Sequence, residues 1–129
     1  MYSFGERSSE NLRSLDPKLQ ALCNEVIKVM DFSIIEGHRS VQRQEALYKE
    51  GKSQLDGITR MGKHNYYPSR AVDVLPYEQG HNSFDSSDKS ELMFWRLLWE
   101  FKRASKRLNI PIELGAFWSF KDMPHIELV

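Results

Sequence analysis

Lys63-His64-Asn65, followed by Pro68-Ser69-Arg70-Ala71-Val72-Asp73-Val74-Leu75-Pro76, is the stretch on which the reading of this chain turns. Its second half alternates. Ala71, Asp73 and Leu75 fall on one face of a strand, and Val72 and Val74 on the other. A carboxylate set among small and apolar neighbours needs a partner. The first half reads as loop and carries an imidazole. A second pairing of the same two side-chain types lies near the end, in Asp122-Met123-Pro124-His125-Ile126-Glu127-Leu128, where His125 and Glu127 share one strand face and Ile126 and Leu128 the other.

Working outward, Asp16-Pro17 gives an N-cap and a proline at the first helical position, and Leu19, Leu22, Cys23, Val26, Val29 and Met30 make the apolar stripe of a helix to about Met30. Residues up to about Leu15 are polar and aperiodic and are expected to be peripheral. Phe32 to Glu36 is β-branched and ends at Gly37, which predicts a strand. Ser40 caps a helix ending at Gly51, so His38 and Arg39 sit at a strand-to-helix corner. Lys52 to Ser69 and Tyr77 to Ser87 read as loops. Asp88-Lys89-Ser90-Glu91 resembles a capping box before a long helix to about Leu108. The first half of that helix looks apolar nearly all round, with Trp95 and Trp99 in the core, and Asn109-Ile110-Pro111 breaks it.

At 129 residues the chain suits one domain and is short for two. Eighteen basic and eighteen acidic side chains cancel, which leaves no broad positive field for a nucleic acid. Cys23, the single cysteine, has no internal disulfide partner and falls on a helix stripe, where it reads as a buried structural thiol. No segment approaches the roughly 20 apolar residues that span a bilayer, and the first residues do not read as a signal peptide. The expectation is therefore no nucleic-acid partner and no membrane insertion.

His64, Asp73 and His125 offer two neutral imidazoles and one anion, a donor set suited to a catalytic zinc ion, which keeps three protein ligands and one open position. Asp122, a tight turn before His125, is the candidate general base. Glu127 can accept the second N–H of the His125 ring and hold it. Arg39 can anchor a carboxylate or stabilise an oxyanion. From spacing alone each has an ordinary alternative: an exposed loop histidine for His64, a strand-edge ion pair for Asp73, a turn residue for Asp122 and a solvated cation for Arg39. His38 and His81 read as non-ligands.

Taken together, Gly37-His38-Arg39-Ser40, the His64 to Pro76 block and Asp122 to Leu128 resemble the zinc peptidases of peptidoglycan. These include D-alanyl-D-alanine carboxypeptidases and the phage L-alanyl-D-glutamate endopeptidases that serve as endolysins. The resemblance runs from about Phe32 to Val129. It implies a small α+β fold, an antiparallel sheet presenting zinc with helices packed behind it. It also implies His64, Asp73 and His125 as ligands, Asp122 as catalytic base and Arg39 as an oxyanion stabiliser. Two positions depart from the family's pattern: Gly62 where a small hydroxyl residue is common, and Gly115-Ala116-Phe117-Trp118 where Gly-Gly-Asp-Trp is frequent.

The resulting expectation is a monomeric phage endolysin that hydrolyses a peptidoglycan stem peptide, with L-alanyl-D-glutamate the favoured bond. It would be made in the host cytoplasm and reach the wall after a separate protein opens the inner membrane. The alternatives are a D-alanyl-D-alanine carboxypeptidase and a zinc-stabilised wall-binding module without turnover.

Overall fold

The alternating stretch at 71–76 becomes the second strand of a four-stranded antiparallel sheet in the computed structural model, which describes residues 2–51, 62–78 and 87–129. The strands are β1 (Phe32–Glu36), β2 (Ala71–Pro76), β3 (Ile112–Leu114) and β4 (His125–Leu128), in the order β1-β2-β4-β3. The described helices are α1 (Glu6–Arg13), α2 (Pro17–Val26), α3 (Val41–Lys49) and α4 (Asp88–Leu108), with 3-10 turns at Lys63–Asn65 and Gly115–Phe117. The class is α+β, as expected.

One sheet face is apolar because the strand period is two. Val72 and Val74 of β2 and Ile126 and Leu128 of β4 point into a core completed by Leu19, Leu22, Cys23 and Val26 of α2 and Leu97, Leu98, Phe101 and Ala104 of α4. Burying each large aliphatic side chain contributes about 1.5–3 kcal/mol, so this face anchors the sheet. The opposite face carries Asp73, His125 and Glu127. Register brings them together, since Asp73 lies directly across from His125 in the β2–β4 pair. A register shift between Ile34 and Glu36 sets Glu36 opposite Asp73 from the other side.

Capping explains the helix ends. Asp16 accepts from the Lys18 amide at 2.9 Å, and Ser40 from the Arg43 amide at 3.1 Å. The cap of α4 is Ser87, one residue before the expected one, and it accepts from the Ser90 amide at 3.2 Å. Asn109 ends α4 in the left-handed conformation, φ 56°.

Three expectations are corrected. The segment before Leu15 is not peripheral: it contains α1, which packs on β1, and the Phe4 ring packs edge-on against Phe32 at 5.3 Å. Helix α2 stops at Val26, so Val29 leaves the apolar stripe and is 59% exposed. Helix α4 has one buried side, the side turned to α2 and to β2 and β3 of the sheet. Leu92 and Trp99 are 61% and 64% exposed on its outer side, and only Trp95 of the tryptophan pair packs against the core.

Helix α1 also closes the sheet at β1. The Ile34 N–H donates to Ser8 Oγ at 3.0 Å, and Asn11 Nδ2 donates to the Ile34 carbonyl at 2.7 Å. These side chains occupy backbone groups that an edge strand otherwise leaves unpaired.

Candidate metal centre

The loop preceding β2 is held against the β1–α3 corner by one backbone bond and by the Asn65 side chain. The Arg39 N–H donates to the His64 carbonyl at 2.7 Å, Asn65 Nδ2 to the Arg39 carbonyl at 3.0 Å, and the Gly62 N–H to Asn65 Oδ1 at 2.8 Å. His64 is thereby set over the polar face of β2 and β4. Its Nε2 lies 3.1 Å from Asp73 Oδ1 and 3.2 Å from His125 Nδ1, and the third side, His125 Nδ1 to Asp73 Oδ1, is 3.3 Å.

The remaining ring nitrogens decide what this triangle is. His64 Nδ1 lies 2.7 Å from the Gly37 carbonyl, an acceptor only, so it carries the proton and donates. His125 Nε2 donates to Glu127 Oε1 at 2.8 Å. In the neutral rings, two nitrogen lone pairs and a carboxylate oxygen then face one another, which is repulsive unless a cation lies between them. Donors about 2.0–2.1 Å from a tetrahedral zinc ion stand about 3.3–3.4 Å apart, and the triangle is close to that size. His64, Asp73 and His125 therefore fit a metal ion as a group.

The charges agree with this reading. Burial works to raise the Asp73 carboxyl, but hydrogen bonds from His125 and His64 outweigh it and hold the group well below the usual carboxylate range. Burial works to lower His125, and its bonds to Asp73 and Glu127 outweigh that, lifting it to about 9. In the metal-free protein a proton takes the cation's place.

Asp122 stands beside the triangle, with Oδ2 3.9 Å from His125 Nδ1 and its side chain 40% exposed. Burial and the Asp73 charge raise its carboxyl above the ordinary value, against the opposing pull of His125, His64 and Arg39. The turn that places it has no room for a side chain at Gly115, where a Cβ would stand 2.9 Å from His125 Cβ and 3.1 Å from Asp122 Cβ. The Trp118 ring lies 4.7 Å from the His125 ring and walls the centre on that side.

The family model of phage L-alanyl-D-glutamate peptidases matches residues 1–129. The chain belongs to this family. Among solved structures, the peptidase is similar to the Serratia marcescens L-Ala D-Glu endopeptidase ChiX, with 27% identity and a TM-score of 0.77 over 98% of this chain and 90% of that one. No sequence among the curated proteins matches it.

Arg39 is engaged more deeply than its expected role requires. Its Nε and Nη2 grip Glu36 at 3.0 and 2.7 Å, Nη1 donates to Gln44 at 2.7 Å, and Nη2 also lies 3.5 Å from Asp73 Oδ2. Among the described residues four of its five N–H groups are thus occupied, and one on Nη1 remains. Glu36 is held below its ordinary pKa, the Arg39 hydrogen bond and charge outweighing burial.

Several parts of the peptidase's centre carry no sequence signal of their own: the Gly37 carbonyl, Lys63 against Glu127, and Gln44 beneath Arg39. His38 stays outside the ligand triangle, its ring bonded to the Tyr66 carbonyl at 3.0 Å. Cys23 is fully buried and burial pushes its thiol up, as a structural thiol requires. His81 lies outside the described residues. Phe117, which stands where the family often has an acidic residue, is 71% exposed and leans on Trp95 at 5.5 Å. No described helix is long and apolar enough to cross a membrane.

Proposed function

We propose that this peptidase hydrolyses the L-alanyl-D-glutamate bond of peptidoglycan stem peptides, and that His64, Asp73 and His125 would hold the zinc ion it uses. The observation that carries the reading is the convergence of three potential donor atoms, each 3.1–3.3 Å from the others, with the Asp122 carboxylate 3.9 Å from one of them. A zinc ion there would supply Lewis acidity and lower the pKa of water toward neutrality.

The protein's own residues do the rest. Asp122 takes a proton from the attacking water and returns it to the nitrogen that leaves, so one water adds across one amide. Its raised pKa suits both halves of that exchange. Gly37 and Glu127 fix the two imidazoles in the tautomers that aim their lone pairs inward. Arg39 offsets the charge of Asp73 and Glu36 and offers its remaining Nη1 hydrogen to the developing oxyanion.

In this reading the enzyme acts as a monomeric endolysin on the wall. It is made in the host cytoplasm and admitted once the inner membrane has been opened. It uses neither nucleic acid nor membrane as a partner, which the balanced charge of the chain supports.

The test is mass spectrometry of purified sacculi treated with zinc-loaded enzyme. Stem peptides beginning with a new D-glutamate amine are expected. Loss of terminal D-alanine alone would replace this reading with carboxypeptidase activity, and wall binding without new termini would replace it with a binding module.

A further inference from the structure

We infer that Lys63 is a positioning residue for the second imidazole, acting through Glu127. The inference rests on the metal reading above. Glu127 is gripped from two sides, one oxygen to each partner. Oε1 accepts from His125 Nε2 at 2.8 Å, and Oε2 pairs with Lys63 Nζ at 3.2 Å. Lys63 Nζ also donates to the Leu128 carbonyl, so the ammonium is tied to the same strand as the carboxylate it holds.

The main chain around Lys63 is equally constrained. The Arg70 N–H donates to the Lys63 carbonyl at 3.0 Å, and the Leu128 N–H to the Arg70 carbonyl at 3.0 Å. The residue that braces the His125 ring is therefore the immediate chain neighbour of His64. One ion pair joins the loop bearing the first imidazole to the strand bearing the second. The brace has an electrostatic task as well: β3 sets Glu113 directly opposite Glu127, and like charges so placed repel. Glu113 is drawn off by Trp118 Nε1 at 2.8 Å. Lys63 supplies the balancing cation on the Glu127 side.

A carboxylate that holds a metal-bound imidazole typically changes metal affinity about 10–100-fold when removed. Lys63 acts one link further out and controls whether that carboxylate stays aimed. The experiment measures zinc affinity of the full chain by competition with a chromophoric chelator, and the His125 ring by nitrogen-15 spectra of the loaded protein. Lys63→Met, Lys63→Arg, Glu127→Gln and the Lys63→Met/Glu127→Gln double variant are compared with the wild type.

Lys63→Met should bind zinc about tenfold more weakly and lose the protected His125 Nε2–H signal, while Lys63→Arg restores both. In the Glu127→Gln background the Lys63→Met change should have no further effect, because its route is gone. Unchanged affinity and spectrum in Lys63→Met, or additive losses in the double variant, would overturn the assignment. A wild-type chain with no zinc affinity would overturn the metal reading itself.

Discussion

Asp73 and His125 face each other across adjacent antiparallel strands, with Oδ1 and Nδ1 3.3 Å apart and both side chains on the polar face of the sheet. A single cross-strand register thus supplies two of the three candidate donors, and only His64 has to be brought in by a loop. The site inherits its rigidity from a sheet whose other face is core.

Because the register does the positioning, replacing Asp73 by Asn should leave the strand pair intact while removing the only anion in the donor set. Zinc content measured by mass spectrometry of the metal should fall from stoichiometric to near zero, with little change in far-ultraviolet circular dichroism. Retention of zinc would remove Asp73 from the ligands.

Asp122 stands outside the donor triangle, so its removal should separate chemistry from metal. Asp122→Ala is expected to lower kcat about 10²–10⁴-fold while zinc stays stoichiometric. Activity near that of the wild type would reassign the base.

Metal and proton compete for His125. The group's pKa in the metal-free fold is raised from 6.5 to about 9, so below that value a proton must leave before the metal enters. Apparent zinc affinity should accordingly keep rising with pH through 7 and 8 and level off near 9. Calorimetry in buffers of different ionisation enthalpy should show proton release at pH 7.5. A plateau from pH 7 upward would contradict the paired geometry. The same shift makes the metal-free fold gain its His125 contribution fully below pH 6.5 and lose it as pH rises through about 9.

Gly115 should be intolerant of even one methyl group. A Cβ there meets the Asp122 carbonyl oxygen at 2.5 Å and His125 Cβ at 2.9 Å, both belonging to the turn that carries the base. Gly115→Ala is expected to cost about 1–3 kcal/mol of stability by overpacking and to lower kcat by moving Asp122. Thermal melting and initial rates report the two losses; wild-type values for both would mean that the turn gives way freely.

Most of the scaffold is legible in the amino-acid order. Asp16-Pro17 and Asn109 mark helix ends through capping chemistry, and the alternation in β2 and β4 assigns faces because a strand has period two. Of the candidate metal donors, Asp73 and His125 stand out as polar residues of strands whose other face is core, while His64, in a loop, is joined to them in the sequence only by the family resemblance. Helix α1 is not, because it docks through Ser8 and Asn11 and has few apolar residues to betray a buried side. Trp99 misleads, since hydrophobicity says nothing about which side of a helix another layer will cover. The Gly37 carbonyl has no side-chain signature, and Lys63 reads as an ordinary loop cation until Glu127 is placed beside it by the fold.

The seal that α1 lays along β1 has a practical consequence. With the outward amide and carbonyl of Ile34 already taken by Ser8 and Asn11, the middle of that margin is closed to a second molecule adding a strand. Tags or fusions that unwind the helix would unmask it, and concentrated preparations would then be prone to strand-mediated clumping.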